Sequence, residues 1–410
     1  MMNRDDAARS AAARTARASY GRLIALLAAS TGDLQLAEDA LSAAFEQALR
    51  RWPESGVPSN PEGWLVTVAR NRQRDVWKSA AYQRQLALDP AIAEDGHWPD
   101  TVDPFDNLDP DRIPDERLAL MFVCAHPAID AAVRTPLILQ TVLGFEAAEI
   151  AEAYAVAPAA MAQRLVRAKK RIRDARIPFV VPSREVLPGR LAPVLEAIYG
   201  CYAIGFGPGA GSEMTTEAQY LAVTMAALLA DEPEAWGLAA LITLSMAREP
   251  ARSSSTYLPL DEQDASRWNS ALIHEGDAYL RRASGAQPGR FQLEAAIQSV
   301  HCARAASGRT DWAALRTLYE ALILVAPTLG AQVALAGAMG RVEGPEAGLR
   351  VLDDLGGAAA GFQPAWAVRA HLSAAAGRHT EARVAYDHAI ELTSDPAVRR
   401  FLTERAAGSQ

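Results

Sequence analysis

Seven basic side chains, Arg164, Arg167, Lys169, Lys170, Arg171, Arg173 and Arg176, stand within thirteen residues against a single acid, Asp174. A second group mixes bases with aromatics: Arg70, Arg72, Arg74, Trp77, Lys78, Tyr82 and Arg84. Cationic side chains massed in this way suit contact with phosphate, the electrostatic footprint of a nucleic-acid binder. The net charge of −8 points the other way until its distribution is read. Residues 1–180 hold 22 Lys/Arg and 24 Asp/Glu, a net of −2; residues 89–116 alone contribute −9, leaving the rest of that stretch at +7. Residues 181–410 carry −6. The chain therefore reads as two basic modules split by an acidic linker and followed by an acidic domain.

Helices must position these groups. Half of the 410 residues are hydrophobic, alanine is abundant and aromatics make up 7%. Alanine loses no side-chain freedom in a helix, and no alternating strand pattern bounded by turns stands out, so an all-α chain is expected. Ala37, Leu41, Ala44, Phe45, Ala48, Leu49 and Trp52 recur at helical spacing. That helix is expected to stop at WPESGVPSNP, where prolines and a glycine force a loop. Asn60 caps the next helix, with Pro61 at its first position, and the second basic group occupies that helix's end. Asp89–Asp115, rich in Pro and Asp, reads as an extended linker. Four helical stretches follow: Arg117–Cys124, Ile129–Leu143, Ala147–Tyr154 and Pro158–Ala175, with Gly144 placed as a C-terminal cap. The short helix, the turn AVA and the long basic helix have the layout of a helix-turn-helix, although Ala157 is a poor N-cap. From Pro182 onward the chain is helical with Gly/Pro turns. Trp366, Ala370, Gly377, Ala382, Tyr386 and Ala389 fall at the spacings of a tetratricopeptide helix pair, and Ala347 and Val351 suggest a poorer copy upstream.

Enzymatic chemistry finds little support. No nucleophile–base signature, phosphate loop or metal cluster is present. The glycine-rich GFGPGAG (205–211) follows no strand. Cys124, Cys201 and Cys302 are odd in number and widely spaced, so buried reduced thiols are expected rather than disulfides or a zinc site. Neither a signal peptide nor a membrane-spanning stretch is expected, which suggests a cytoplasmic protein without cofactors. A tetratricopeptide scaffold and an operator-binding repressor are the rival non-enzymatic readings.

The segments GDLQLAEDALSAAFEQALRRWP, NPEGWLVTVARNRQRD, VCAHPAI and EIAEAYAVAPAAMAQRLVRAKKRIRDARIPF resemble the extracytoplasmic-function (ECF) branch of the bacterial sigma factors. The tail, with EPEAWGLAALITLSMAR, LDEQDASRWN and TDWAALRTLYEAL, is similar to that of the subgroup with a tetratricopeptide-like, SnoaL-lacking extension. The resemblance implies region 2 over residues 1–88, an acidic linker over 89–115, region 4 over 116–180 and the extension over 181–410. It implies core RNA polymerase and promoter DNA as partners. Asp33, Glu38, Asp39, Leu41 and Phe45 would meet the β′ clamp helices, with a core role for Leu41 and Phe45 as the alternative. Asn71, Arg74, Asp75, Trp77, Lys78, Tyr82 and Arg84 would hold the melted −10 element. Arg164, Arg167 and Lys170 would clamp phosphates at the −35 element while Ala159, Ala160 and Gln163 meet base edges. The apolar side of region 4 would cover the β flap. The sequence departs from the family pattern at Ser42-Ala43, at Ser79, at Gln140 and at Ile204–Gly207. The −6 tail after the +7 core suggests that the extension acts in cis on the basic modules.

Overall fold

The computed structural model describes residues 4–78, 113–179, 182–183, 185–205, 212–252, 257–285 and 287–408. Every regular element among them is helical, as composition predicts. The backbone divides into two units, residues 1–200 and 201–410.

In the first unit, α1 (Arg4–Thr31), α2 (Leu34–Ser55) and α3 (Pro61–Lys78) pack against one another, and α4 (Ile113–Cys124) lies on α1. Leu23, Ile24, Leu27, Leu34, Leu41, Trp52 and Leu65 are buried between them, and Leu118, Met121 and Phe122 extend this core. Asp33 caps α2 by accepting the Leu36 amide at 3.1 Å. As expected, α2 ends within WPESGVPSNP, running through Pro53 to Ser55. A proline loses one ladder bond but is tolerable this close to a helix end, and Gly56 at φ +84° makes the actual break. Asn60 caps α3 as anticipated, accepting the Gly63 amide at 2.9 Å. Glu62 at that helix start reaches Ser19 and Arg22 of α1. The linker expectation is cut short at its far end, because Ile113–Asp115 already belong to α4; Asp89–Arg112 lie outside the described residues.

Next come α5 (Ala131–Thr141), α6 (Ala147–Ala153) and α7 (Pro158–Asp174). Asp130 caps α5 and Gly144, at φ +76°, closes the turn after it. Glu149 accepts the Glu146 amide at 2.7 Å to start α6. Ala155 turns the chain at φ +50°, and Pro158 opens α7 behind an Ala157 that offers no side-chain cap. Met161, Leu165, Ala168 and Ile172 face inward. A close approach joins these helices to the N-terminal bundle: a Cβ at Gly21 would fall 1.7 Å from the Val142 carbonyl oxygen. The division between the units falls within α8 (Pro188–Gly205), whose Pro193 carbonyl accepts the Thr135 hydroxyl at 3.3 Å.

The second unit is built around α10 (Pro233–Met246), of which every residue from Ala235 to Met246 is buried. α9 (Ser212–Leu228), α11 (Ser270–Arg282) and α12 (Arg290–Cys302) enclose it. Gly237 and Gly276 permit the closest crossings, since a Cβ at either would stand 2.7 Å from the Gln292 amide nitrogen or 2.6 Å from Leu244 Cγ. A stack of α13 (Trp312–Val325), α14 (Leu329–Val342), α15 (Pro345–Asp354), α16 (Gln363–Ala375), α17 (His379–Leu392) and α18 (Pro396–Gly408) follows. Its apolar contacts form three successive clusters, each drawn from consecutive helices, as a solenoid requires. Ala370, Ala382, Tyr386 and Ala389 are buried at the α16–α17 crossing and Gly377 turns between the two at φ +74°. The upstream copy holds Ala347 buried and Val351 half-buried on α15. Cys124, Cys201 and Cys302 are buried thiols.

Candidate nucleic-acid and polymerase interfaces

The seventeen residues of α7 divide cleanly by face. Ala159, Gln163, Arg164, Arg167 and Lys170 are exposed and Ala160 is half-buried, opposite the apolar side formed by Met161, Leu165, Ala168 and Ile172. All six predicted −35 residues thus share one side of the helix, with small and uncharged groups in the first turn and cations behind them. Such an arrangement lets backbone approach base edges while the longer side chains reach phosphates. Beside it lies an open groove of about 480 Å³. Ala128, Ile129, Ala132 and Val133 supply its apolar lining and Arg164, Arg167 and Arg171 its basic rim.

On α3 the buried positions are Leu65, Ala69 and Gln73, and the Gln73 amide donates to the Leu27 carbonyl at 3.3 Å. Asn71, Arg74 and Asp75 are exposed on the other side. Trp77 and Lys78 occupy the last turn of α3. Tyr82 and Arg84 lie outside the described residues. Trp64 is half-buried and meets Trp52 edge-on at 5.6 Å.

The polymerase-binding set separates into different roles. Leu41 is fully buried and belongs to the core, so it cannot anchor a partner. Its position on the inner stripe with Ala37, Ala44 and Ala48 explains why. Phe45 is half-buried and Asp39 exposed, with Gln35 donating to the Asp39 carboxylate at 3.0 Å. Asp33 is the α2 cap and also lies 3.8 Å from Arg173. Glu38 receives the Lys169 ammonium at 2.7 Å on both carboxylate oxygens. The two side chains are 14% and 7% exposed, making this a buried ion pair between α2 and α7. Burial pushes the Glu38 carboxyl above its usual range; Lys169 opposes the shift, while Asp39 and Asp33 add to it. Tyr20 is pushed up by burial and by the same two acids, Glu38 and Asp39.

Reading α7 as a basic helix misses this contact. The signal was nevertheless present: Lys169 falls four residues after Leu165 and three before Ile172, on the apolar stripe rather than the cationic face. Among the described residues no group of His, Cys, Asp or Glu is arranged to hold a metal ion. Among them, too, no helix is long and apolar enough to cross a membrane.

Comparison with known proteins places these features. Residues 16–82 match Sigma-70 region 2, which covers most of α1, α2 and α3. Residues 190–284 match a Family of unknown function (DUF6596). An uncharacterized protein of Rhizobium meliloti (strain 1021) is 34% identical over 378 residues, spanning 90% of this chain and 89% of that protein. A probable ECF RNA polymerase sigma factor, SigI of Mycobacterium tuberculosis, is 31% identical over 163 residues; the match takes in 39% of this chain and 54% of SigI. No solved structure matches. With Sigma-70 region 2 at its N-terminus, a partial resemblance to SigI and a relative alike over 90% of its length, the chain matches an ECF sigma factor with a C-terminal extension.

Proposed function

We propose that the chain directs core RNA polymerase to promoters, with α3 and the segment after it engaging the −10 element and α7 engaging the −35 element. The observation that carries this reading is the exposed side of α7, where Ala159 and Gln163 precede Arg164, Arg167 and Lys170. Asp33, Glu38, Asp39 and Phe45 on α2 are the surface for the β′ clamp helices, and the apolar groove beside α7 is the surface for the β flap. Lys169 and Arg173 face Glu38 and Asp33 in this structure. Engaging polymerase through those two acids therefore requires α7 to leave α2. The tetratricopeptide-like stack modulates this activity, and the protein acts in the cytoplasm, where polymerase and promoter are found.

Run-off transcription with purified core polymerase tests the reading. Promoters selected by the full chain from a random library should support initiation, and Gln163→Ala should relax preference at one −35 position by about 1–3 kcal/mol. Arg167→Ala should weaken binding to all promoters alike and lower its salt dependence. A chain that fails to bind core polymerase, or initiation indifferent to α7 substitutions, overturns the assignment.

A further inference from the structure

A short strap, residues 257–263 with a single 3-10 turn at Leu260–Glu262, runs along the second unit and reaches from the end of α12 to α14 and α18. The carbonyls of Asp261 and Gln263 accept the Arg304 guanidinium, just beyond α12, at 2.5 and 2.6 Å. The Asp261 carboxylate meets Arg341 of α14 at 2.6 Å. Glu262 pairs with Arg405 of α18, and Tyr257 lies edge-on to Phe401 of the same helix at 5.2 Å. Alternate helices of a solenoid line one side of it, so the strap runs along a single face of the stack and that face presents a row of arginines.

Its seating is shallow. Tyr257 and Leu258 remain 42% and 37% exposed, and the side chains of the Asp261–Arg341 pair are 38% and 41% exposed. Ion pairs in water contribute little to holding a segment down. Beyond Tyr257 and Leu258 an open groove of about 770 Å³ continues between α16 and α18, past His371, Tyr386 and Arg400. The face therefore offers more room than the strap fills. What it does hold is a short acidic segment with one 3-10 turn, bonded through two main-chain carbonyls, two carboxylates and one aromatic ring.

We propose that this arginine-lined face is a docking surface for a short acidic peptide segment of a partner protein, and that residues 257–263 are a built-in occupant that such a segment displaces. Charge complementarity selects the partner chemistry: acids at two-carbon or three-carbon reach meet Arg341 and Arg405, main-chain carbonyls meet the Arg304 fork, and an aromatic meets Phe401. The inference concerns the second unit alone and does not depend on which promoter the chain reads.

The test uses the full chain and a fluorescein-labelled copy of the strap, YLPLDEQ, with YLPLNQQ as its uncharged control. Asp261→Asn/Glu262→Gln loosens the resident segment. Anisotropy should show the labelled acidic peptide binding this variant roughly tenfold more tightly than the native chain, because a vacated site no longer divides its population with an internal competitor. The control peptide should bind neither, and adding Arg341→Ala/Arg405→Ala should abolish binding. In the native chain, excess unlabelled YLPLDEQ should lower hydrogen-exchange protection at Glu262, whose amide bonds the Pro259 carbonyl at 2.9 Å, while α12 and α14 stay protected. Equal binding to native and variant chains, no binding to either, or Glu262 protection unmoved by peptide overturns the proposal. So does equal competition by a single-stranded oligonucleotide, which would make the face a phosphate site. Strap exchange between two copies, seen as a dimer growing with concentration, would likewise replace the partner peptide with a second chain.

Discussion

Replacing Lys169 by methionine removes the cation from a buried pair while keeping most of its hydrocarbon stem. At 2.7 Å and an effective dielectric near 20, the charge attraction lost is about 6 kcal/mol. Much of that already offsets the cost of drying two charges, so the measurable loss is the penalty of leaving Glu38 buried alone, about 3–5 kcal/mol. Asp33 and Asp39 stand close enough to Glu38 to aggravate it. Hydrogen exchange on the intact chain reads this locally: amides of α2 and α7 should lose from about 10²-fold to several thousand-fold in protection, at about 1.4 kcal/mol per tenfold. The sign with pH follows from Glu38. Its folded-state pKa, already raised, rises further without Lys169, so stability lost at neutral pH returns as pH falls towards the ordinary carboxylate value and the group takes up a proton. Glu38→Leu combined with Lys169→Met should recover most of the loss, since two apolar groups replace two charges. Unchanged protection in the single variant, or a double variant as unprotected as the single one, refutes the reasoning.

Three further outcomes are expected. Gly21→Ala places a methyl against a main-chain oxygen that cannot move away cheaply, and should lower stability by about 2–3 kcal/mol in thermal denaturation. Ala155→Gly removes a Cβ from a left-handed turn position and should leave stability unchanged or raise it by up to about 1 kcal/mol; a lower melting temperature would refute the strain assigned there. Burial, with Arg248 and Arg304 nearby, lowers the His301 pKa from 6.5 to about 4. The unfolded chain then binds the proton first, so stability should fall by about 2–3 kcal/mol as pH drops from 6.5 to 4. His301→Leu should flatten that slope in a series of melts.

Much of the architecture is written in local signals. Asn60 and Pro61 announce α3, Gly144 closes α5, and the spacing of Ala370, Ala382 and Tyr386 specifies a helix crossing because small residues must face one another there. The exposed side of α7 was equally legible, since the placement of Ala159, Gln163 and Lys170 depends only on helical period. Other features have no local signature. α1 carries arginines and alanines around its whole circumference, so its length escapes a periodicity search. Leu41 and Phe45 stand four residues apart on one helix, and only the tertiary packing of α1 and α3 decides that the first is core and the second half-buried. Glu38 and Lys169 are 131 positions apart, and a contact of that range follows from how α2 meets α7 rather than from either helix. Nothing local in the strap at 257–263 announces its contacts, which come from arginines as far away as Arg405.

The enclosure of α10 bears on how this chain can be cut. The match to the family of unknown function ends at residue 284, yet α12 begins at Arg290. Glu234, at the start of α10, accepts the amides of Phe291 and Gln292 at 3.2 and 3.1 Å, and Gly237 presses on the Gln292 main chain. A fragment stopping at 284 would uncover one whole side of the most apolar helix in the unit and leave Glu234 facing empty solvent. Matched segment and cooperative folding block thus have different borders here: the matched piece is completed by a helix it does not contain. Expression of residues 212–284 should yield aggregates, whereas extension through Cys302 restores the missing wall.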